Sequence, residues 1–394
     1  MDHHDYRRRL HPLAGSECAL PDEEIRRRHE AVAAAMEAAG LEALLLASPA
    51  DIYYLTGYST FEVSVHTVLV FAPGRLMLQV PSIETGPAVA CTRLEDVTGY
   101  RWESIAEVLD PLADALMRAG RRIGIDPWQA ALRPGVLDGL KARLPRHDFQ
   151  DAAGLMAGVR IVKSPLELSF LEHSARITGL CIAAAADAAR AGVTDSAVAA
   201  AGAQALYGSG SEFMSMQPIV TTGRRSSIIH VNHHRHRIED GDPVFIELGA
   251  AWQRYTAPMM RTVVAGTPTP RMVEVFDTIR RMYDALLVAI RPGAKFDAAA
   301  RVAEEALAPL VDDVFFSGVF GYAVGAQFPP SWVEGSGYIA RGQDRVFTPG
   351  MVFHLPLCLR IPGAWGIGCS DTVRVTEDGA VPVTDNPWTL EERR

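Results

Sequence analysis

With 394 residues, 48% of them hydrophobic and 22% charged, the chain is long enough to bury two full-sized cores. A formal net charge of −9 and a pI near 5.8 oppose binding to nucleic acid or to an anionic membrane, and no apolar run is long enough to span a bilayer. Residues 1–10 carry no apolar stretch behind their arginines, so no secretory signal is expected and a cytoplasmic setting is.

In chain order, Asp22 is placed to cap a helix with Ile25, Val32 and Met36 at helical spacing, and Gly40 to end it. Leu44 to Leu46 reads as a buried strand. His66 to Phe71 and Leu76 to Val80 read as two strands joined by a Pro-Gly turn, and Arg122 to Ile125 as a further short strand. Ser164, Pro165 and Glu167 predict a capping box that opens a long helix running to about Gly192. Further helices are expected over Ser196 to Tyr207, Pro270 to Ile290 and Ala298 to Leu310, set between strands. The expected division is an α/β domain over residues 1–160 and a second domain over 161–394, with an α+β chain overall.

Cys18, Cys91, Cys181, Cys358 and Cys369 are odd in number and lack metal-ligand spacing, which argues against a disulfide framework or a structural zinc. Cys358 and Cys369 are candidates to face each other on neighbouring strands, the simpler expectation being two free buried thiols.

The densest motif runs from Val244 to Thr262 and contains Glu247-Leu-Gly-Ala and Tyr255-Thr-Ala-Pro-Met-Met-Arg-Thr262. It resembles the metal-binding hairpin of the pita-bread family, which includes methionine aminopeptidase, aminopeptidase P, prolidase and creatinase. In that pattern, aspartates stand at the positions of Glu247 and Pro258. The family's Gly-His-Gly-x-Gly corresponds to Gly321-Tyr-Ala-Val-Gly325, so Tyr322 stands for the histidine ligand. Two glutamate ligands correspond to Pro356, after Phe353-His354-Leu355, and to Ser370, before Asp371-Thr372. One acidic side chain survives at five ligand positions, too few donors to hold a divalent metal. The resemblance therefore implies a creatinase-like fold whose curved antiparallel sheet is backed by helices, with no metal and no other cofactor.

Within that family the chain is most similar to the metal-free ectoine hydrolase branch. The similarity is carried by Glu247, the Tyr-x-x-Pro-x-x-Arg-Thr hairpin, Gly321-Tyr322 running into Pro329-Pro330-Ser-Trp332-Val-Glu334, Phe353-His354, Leu55-Thr-Gly-Tyr58, Phe61 and Val65-His66. Gly368-Cys-Ser370 and the polar segment Asn232 to His236 depart from it.

Glu247 sits among apolar strand residues, so desolvation is expected to raise its pKa and suit it to act as nucleophile or general base. A solvated strand glutamate is the alternative, since alternation turns residue 247 away from its neighbours. His230, where the resemblance places a catalytic histidine, is expected to protonate a departing nitrogen. Tyr322 and His354 are expected to donate hydrogen bonds in the catalytic group. Trp332 and Glu334 are candidates for a substrate cation, by cation–π contact and charge, with loop packing as the alternative. Arg261 is a candidate for a substrate carboxylate or for a structural ion pair, and Phe61 and His66 are expected to line the substrate site. His233, His234 and His236 are expected in a polar loop.

The expected function is metal-independent hydrolysis of a non-peptide C–N bond in a small polar molecule, most similar to ring opening of an ectoine-like cyclic amidine. Creatinase-like cleavage of an acyclic guanidino compound is one alternative, and a Xaa-Pro-peptidase scaffold that binds a ligand without catalysis is another. The expected partners are a small-molecule substrate and a second copy of the chain in a homodimer, with no nucleic acid and no membrane.

Overall fold

Short aliphatic runs form the central strands of the N-terminal unit, Met1–Val159. The computed structural model describes residues 3–101 and 104–394; residues 1 and 2, the start of the segment weighed as a signal, lie outside the described residues. Strands β1 (Ala43–Leu46), β2 (Val68–Ala72), β3 (Arg75–Pro81), β4 (Val97–Tyr100), β5 (Arg122–Ile125) and β6 (Asp148–Asp151) form one sheet in the order β4-β3-β2-β1-β5-β6. The β1–β2 and β2–β3 pairs are antiparallel and the others parallel. Both faces of the central strands β1 and β2 are covered, which is why these two read as unbroken apolar runs, whereas the edge strand β6, Asp-Phe-Gln-Asp, is partly exposed. Leu45 and Val70 pack with Val108, Leu112 and Leu116 on one face, whereas Leu44, Leu46, Leu69 and Phe71 pack with Val32, Met36 and Ile52 on the other.

The first long helix of this unit, Asp22–Ala38, is capped one residue earlier than expected. Pro21 occupies the N-cap, and Asp22, Glu23 and Glu24 lie in the first turn, where their charge favours the helix dipole. Gly40, just past the C-cap Ala39, has a φ of +69°, the left-handed conformation that glycine adopts without strain.

The C-terminal unit, Arg160–Arg394, opens with the capping box read from the sequence. Ser164 Oγ accepts from Glu167 N, and Glu167 Oε2 accepts from Ser164 N at 2.9 Å. The helix runs over Pro165–Ala188, four residues short of Gly192. It is followed by helices Asp195–Gly208, Pro270–Ala289 and Phe296–Leu307.

The strands of this unit are β7 (Ile219–Thr222), β8 (Asp242–Leu248), β9 (Ala251–Trp252), β10 (Tyr255–Thr256), β11 (Met259–Ala265), β12 (Val319–Val324), β13 (Val333–Ala340), β14 (Val352–His354), β15 (Leu357–Ile361), β16 (Trp365–Cys369), β17 (Thr372–Thr376), β18 (Gly379–Pro382) and β19 (Glu391–Arg393). Two sheets matter for the site, one ordered β19-β11-β8-β7 and one ordered β13-β12-β14-β17-β18. Their pairings are antiparallel except β11–β19.

Alternation along β8 decides where the site lies. Val244, Ile246 and Leu248 point into a core with Ile177, Cys181, Ile182 and Ala185 of the first helix. Phe245 therefore turns the other way, into a small cluster with Ile219, Met260 and Cys358, and Glu247 shares its face. The pairing Leu357↔Cys369 and Cys358↔Gly368 puts the two cysteines on opposite faces of their ribbon. Cys358 joins the Phe245 cluster and Cys369 the core with helix Pro270–Ala289, so they do not face each other; all five cysteines are free.

Glu167 also accepts from Tyr255 Oη at 2.8 Å through its other oxygen, tying the hairpin to the helix start. Replacing Ser164 with alanine removes the N-cap hydroxyl and should cost about 1 kcal/mol. Glu167→Ala removes its part of the capping box and also the acceptor of the buried Tyr255 hydroxyl, so urea denaturation should show a larger loss, roughly 2–4 kcal/mol. Equal losses for the two variants would mean that the Tyr255 bond contributes nothing.

Candidate active site

Glu247 pairs with Met260 on β11 and with Ile219 on β7, in the middle of the four-stranded sheet. It is 5% exposed, and its carboxyl makes no hydrogen bond to a described residue. Burial alone pushes its pKa up to about 8, because nothing charged or hydrogen-bonding offsets the lost hydration. The sequence alternatives meet here: residue 247 does face away from its helix-packed neighbours, but that second face is buried as well.

Beyond Met260 lies Ser370, joined to it by an isolated bridge in which Ser370 N donates to Met260 O at 3.0 Å and Met260 N donates to Ser370 Oγ at 2.8 Å. Ser370 Oγ lies 2.7 Å from Nε2 of His354, whose Nδ1 lies 2.8 Å from the Tyr322 hydroxyl. Trp332 Nε1 donates to the same hydroxyl at 2.8 Å. The cross-strand pair Tyr322↔His354 is what brings the tyrosine and imidazole together.

His354 is fully buried, and burial lowers its pKa to about 3, so the ring is neutral at ordinary pH. Tyr322 is held well above its usual pKa, first by burial and then by the Glu247 charge, so it keeps its proton. The arrangement offers a poised carboxyl beside a chain of neutral hydroxyl and imidazole groups.

The five positions at which the resemblance puts metal ligands are Glu247, Pro258, Tyr322, Pro356 and Ser370. Two prolines offer no side-chain donor, and the tyrosine and serine hydroxyls are engaged with His354. Among the described residues, no group of three or more His, Cys, Asp or Glu side chains is placed to hold a metal ion. The donor set does not fit a di-metal centre.

Other expected site residues fall elsewhere. Glu334 already faces two cations, Lys163 Nζ at 2.6 Å and Arg160 at 3.4 Å, so its charge is balanced inside the protein rather than available to a substrate. Trp332 is 1% exposed and engaged with Tyr322, which makes it a support for the tyrosine rather than an open cation–π face. Arg261 forms an ion pair with Glu391 across the parallel β11–β19 pairing, the structural one of its two expected uses. Phe61 and His66 belong to the N-terminal unit. Phe61 is 92% exposed, whereas His66 is buried within that unit, 3.2 Å from Gln79 Oε1 and edge-on to Tyr100.

His230 is exposed, with a left-handed φ of 69°, and has no hydrogen bond to the Tyr322–His354–Ser370 chain. The segment after it is a polar loop held by Asp195, which accepts from His234 N at 2.9 Å and His236 N at 3.0 Å, while His233 Nδ1 lies 3.0 Å from Ser196 Oγ. Sequence reasoning missed two participants. Ser370 reads in the sequence as a lost ligand, although a hydroxyl at a former ligand position is itself a hydrogen-bonding signal. Lys163, the cation that balances Glu334, stands in the Lys-Ser-Pro step, whose sequence signal is the helix cap.

Residues 169–377 match metallopeptidase family M24, and residues 28–162 match the creatinase/prolidase N-terminal domain. The chain belongs to family M24. Among M24 relatives, it is 24% identical over 360 residues to the Xaa-Pro dipeptidase of Pyrococcus furiosus, covering 91% of this chain and 98% of that one. It is also 24% identical over 382 residues to the ectoine hydrolase of Halomonas elongata, covering 90% and 94%. The prolidase structure from Pyrococcus horikoshii superposes with a TM-score of 0.80 at 23% identity, covering 92% of this chain and 100% of that one, which shows the two-domain pita-bread fold. The family is one of hydrolases.

The Glu247 carboxyl makes stability pH-dependent in a direction that can be worked out. An ordinary glutamate titrates near 4.5, so between there and about 8 the folded protein binds one proton more than the unfolded chain, and stability falls as pH rises through that window. Glu247→Gln abolishes the effect. Its stability relative to wild type should therefore climb across the window, with a slope of up to about 1.4 kcal/mol per pH unit. Denaturation curves at a series of pH values measure this, and a flat difference would mean that the carboxyl titrates normally.

Proposed function

We propose that this M24 protein is a metal-independent hydrolase of a non-peptide C–N bond in a small polar substrate, with ring opening of an ectoine-like cyclic amidine as the best match. The observation that carries the reading is Glu247, a buried carboxyl without a hydrogen-bond partner among the described residues, beside the neutral Tyr322–His354 pair. Such a carboxyl favours a ligand that brings its own cation and N–H groups, which an amidinium does. The likeness to an ectoine hydrolase supports the substrate class. The donor set described above weighs against the metal-dependent peptide cleavage suggested by the names of the dipeptidase relatives.

A bound amidinium stabilises the ionised form of Glu247. Glu247 then takes a proton from water as the water oxygen bonds to the amidine carbon. Collapse of the adduct breaks one C–N bond while the departing nitrogen gains a proton, so amidine and water give an amide and an amine. Direct attack by Glu247, followed by hydrolysis of the ester-like adduct, has the same balance. Tyr322 is the better-placed donor to the nitrogen, because it shares the buried site with the Glu247 charge, whereas the sequence-favoured His230 is exposed. The reading includes a cytoplasmic homodimer.

Glu247→Gln should lower turnover of a cyclic amidine by about two orders of magnitude or more, the scale of a positioned acid–base group. Exhaustive chelation should leave wild-type turnover unchanged. Tyr322→Phe should cost far more turnover than His230→Ala, and the opposite ranking would return the donor role to His230. Cleavage of Xaa-Pro dipeptides that depends on added manganese or cobalt would overturn the reading. Calorimetric binding of amidines with no turnover in either wild type or Glu247→Gln would identify a binding protein.

A further inference from the structure

The hydrogen-bond chain at the site has a direction that can be obtained by counting protons. Trp332 Nε1–H can only donate, so it fills one acceptor position on the Tyr322 oxygen; Met260 N–H likewise fills one on Ser370 Oγ. Between these ends lie two hydrogen bonds, Tyr322–His354 at 2.8 Å and His354–Ser370 at 2.7 Å. A neutral imidazole contributes one N–H and each hydroxyl contributes one O–H. Three protons therefore serve two internal bonds, and the third must point out of the chain at one end.

Two arrangements satisfy the count. In the first, Tyr322 donates to Nδ1, Nε2–H donates to Ser370, and the Ser370 proton points outward. In the second, Ser370 donates to Nε2, Nδ1–H donates to Tyr322, and the Tyr322 proton points outward. Ser370 is fully buried, and its side chain has no further acceptor among the described residues, so the first arrangement leaves a buried O–H unsatisfied. Tyr322 is only partly buried as a residue and its hydroxyl lies close enough to feel the Glu247 carboxyl, so an outward Tyr322 proton has that carboxyl, or a ligand held by it, as its acceptor.

We propose that Ser370, His354 and Tyr322 form a one-way relay in which Ser370 donates to His354 Nε2, His354 Nδ1–H donates to Tyr322, and Tyr322 aims its O–H at the ligand held by Glu247. This rests on the reading of Glu247 as the ligand-binding carboxyl. Its consequence is specificity: the site takes ligands with a cationic or N–H group for Glu247 and a hydrogen-bond acceptor, an oxygen or an unprotonated nitrogen, for Tyr322. Ser370 is then a positioning residue that acts through His354.

The test reads the imidazole directly and needs no substrate. In ligand-free protein labelled with 15N-histidine, the His354 signals are assigned by their loss in His354→Asn, and long-range proton–nitrogen correlation reports which ring nitrogen carries the proton. The expected result is Nδ1–H with Nε2 as a hydrogen-bonded acceptor, by a ratio of about tenfold or more. Protonation at Nε2, or at both nitrogens, overturns the proposal. In Ser370→Ala the Nε2 resonance should move toward the value of an unbonded imidazole nitrogen while Nδ1 stays protonated, and an unmoved Nε2 in that folded variant also overturns it. If Ser370→Ala does not fold, the wild-type spectrum alone decides. Lost turnover in Glu247→Gln tests the functional reading separately, so either can fail without the other.

Discussion

The imidazole of His354 is the constraint on which the site depends, because its two hydrogen bonds join two sheets. Through Nδ1 it meets Tyr322 on the neighbouring strand of its own sheet. Through Nε2 it meets Ser370, whose backbone is bridged to Met260 in the four-stranded sheet that carries Glu247. Asn386 reinforces the same junction, its amide donating to Met260 O at 2.8 Å and to Ser370 O at 2.9 Å. A charged imidazole would be costly here, since it is fully buried and its hydrogen-bond partners among the described residues are two hydroxyls, not a carboxylate. Neutral His354 therefore supplies rigidity and a direction of donation together.

The hydroxyl-rich network occupies positions at which the family resemblance puts metal ligands, and the change alters what the site can recognise. A metal centre draws in carbonyl oxygens and activates water through its own charge. Here the polarity is carried by side chains whose protons are held by burial, leaving one acidic group to respond to a ligand. The prolines at 258 and 356 contribute no side-chain donors, so they narrow the chemistry to Glu247 and the Tyr322 chain.

The fold was legible where local chemistry acts alone. The capping box at Ser164 and Glu167, the left-handed Gly40 and the apolar strand runs of the N-terminal unit all follow from residue type and spacing. The desolvation of Glu247 was legible in part: the apolar strand Val-Phe-Ile-x-Leu suggests it, but only the structure shows that the face turned away from the helix is buried as well. Roles that depend on distant partners were not. Glu334 looked available because Lys163 and Arg160, more than 170 positions away in sequence, balance it only in three dimensions. Cys358 and Cys369 are free buried thiols, the simpler of the two expectations, but only the strand register shows that they lie on opposite faces. His230 was favoured by alignment alone, and its exposure could not be read from a polar loop sequence.

What sets Glu247 apart is the company kept by the other buried acids of the C-terminal unit. Glu167 accepts from Ser164 N and Tyr255 Oη, and Asp195 from two backbone amides of the histidine loop. Asp371 accepts from Tyr283, Thr384, Asn386 N and Trp388. The Glu334 carboxylate has its two cations. Each of these groups is satisfied and holds elements together, as a buried polar group in a stable fold must be. Glu247 is also buried, without such a partner among the described residues, which costs stability whenever it ionises. A fold that satisfies these carboxyls so fully, yet leaves this one unpaired beside a hydroxyl chain, has its unbalanced group where a ligand can balance it.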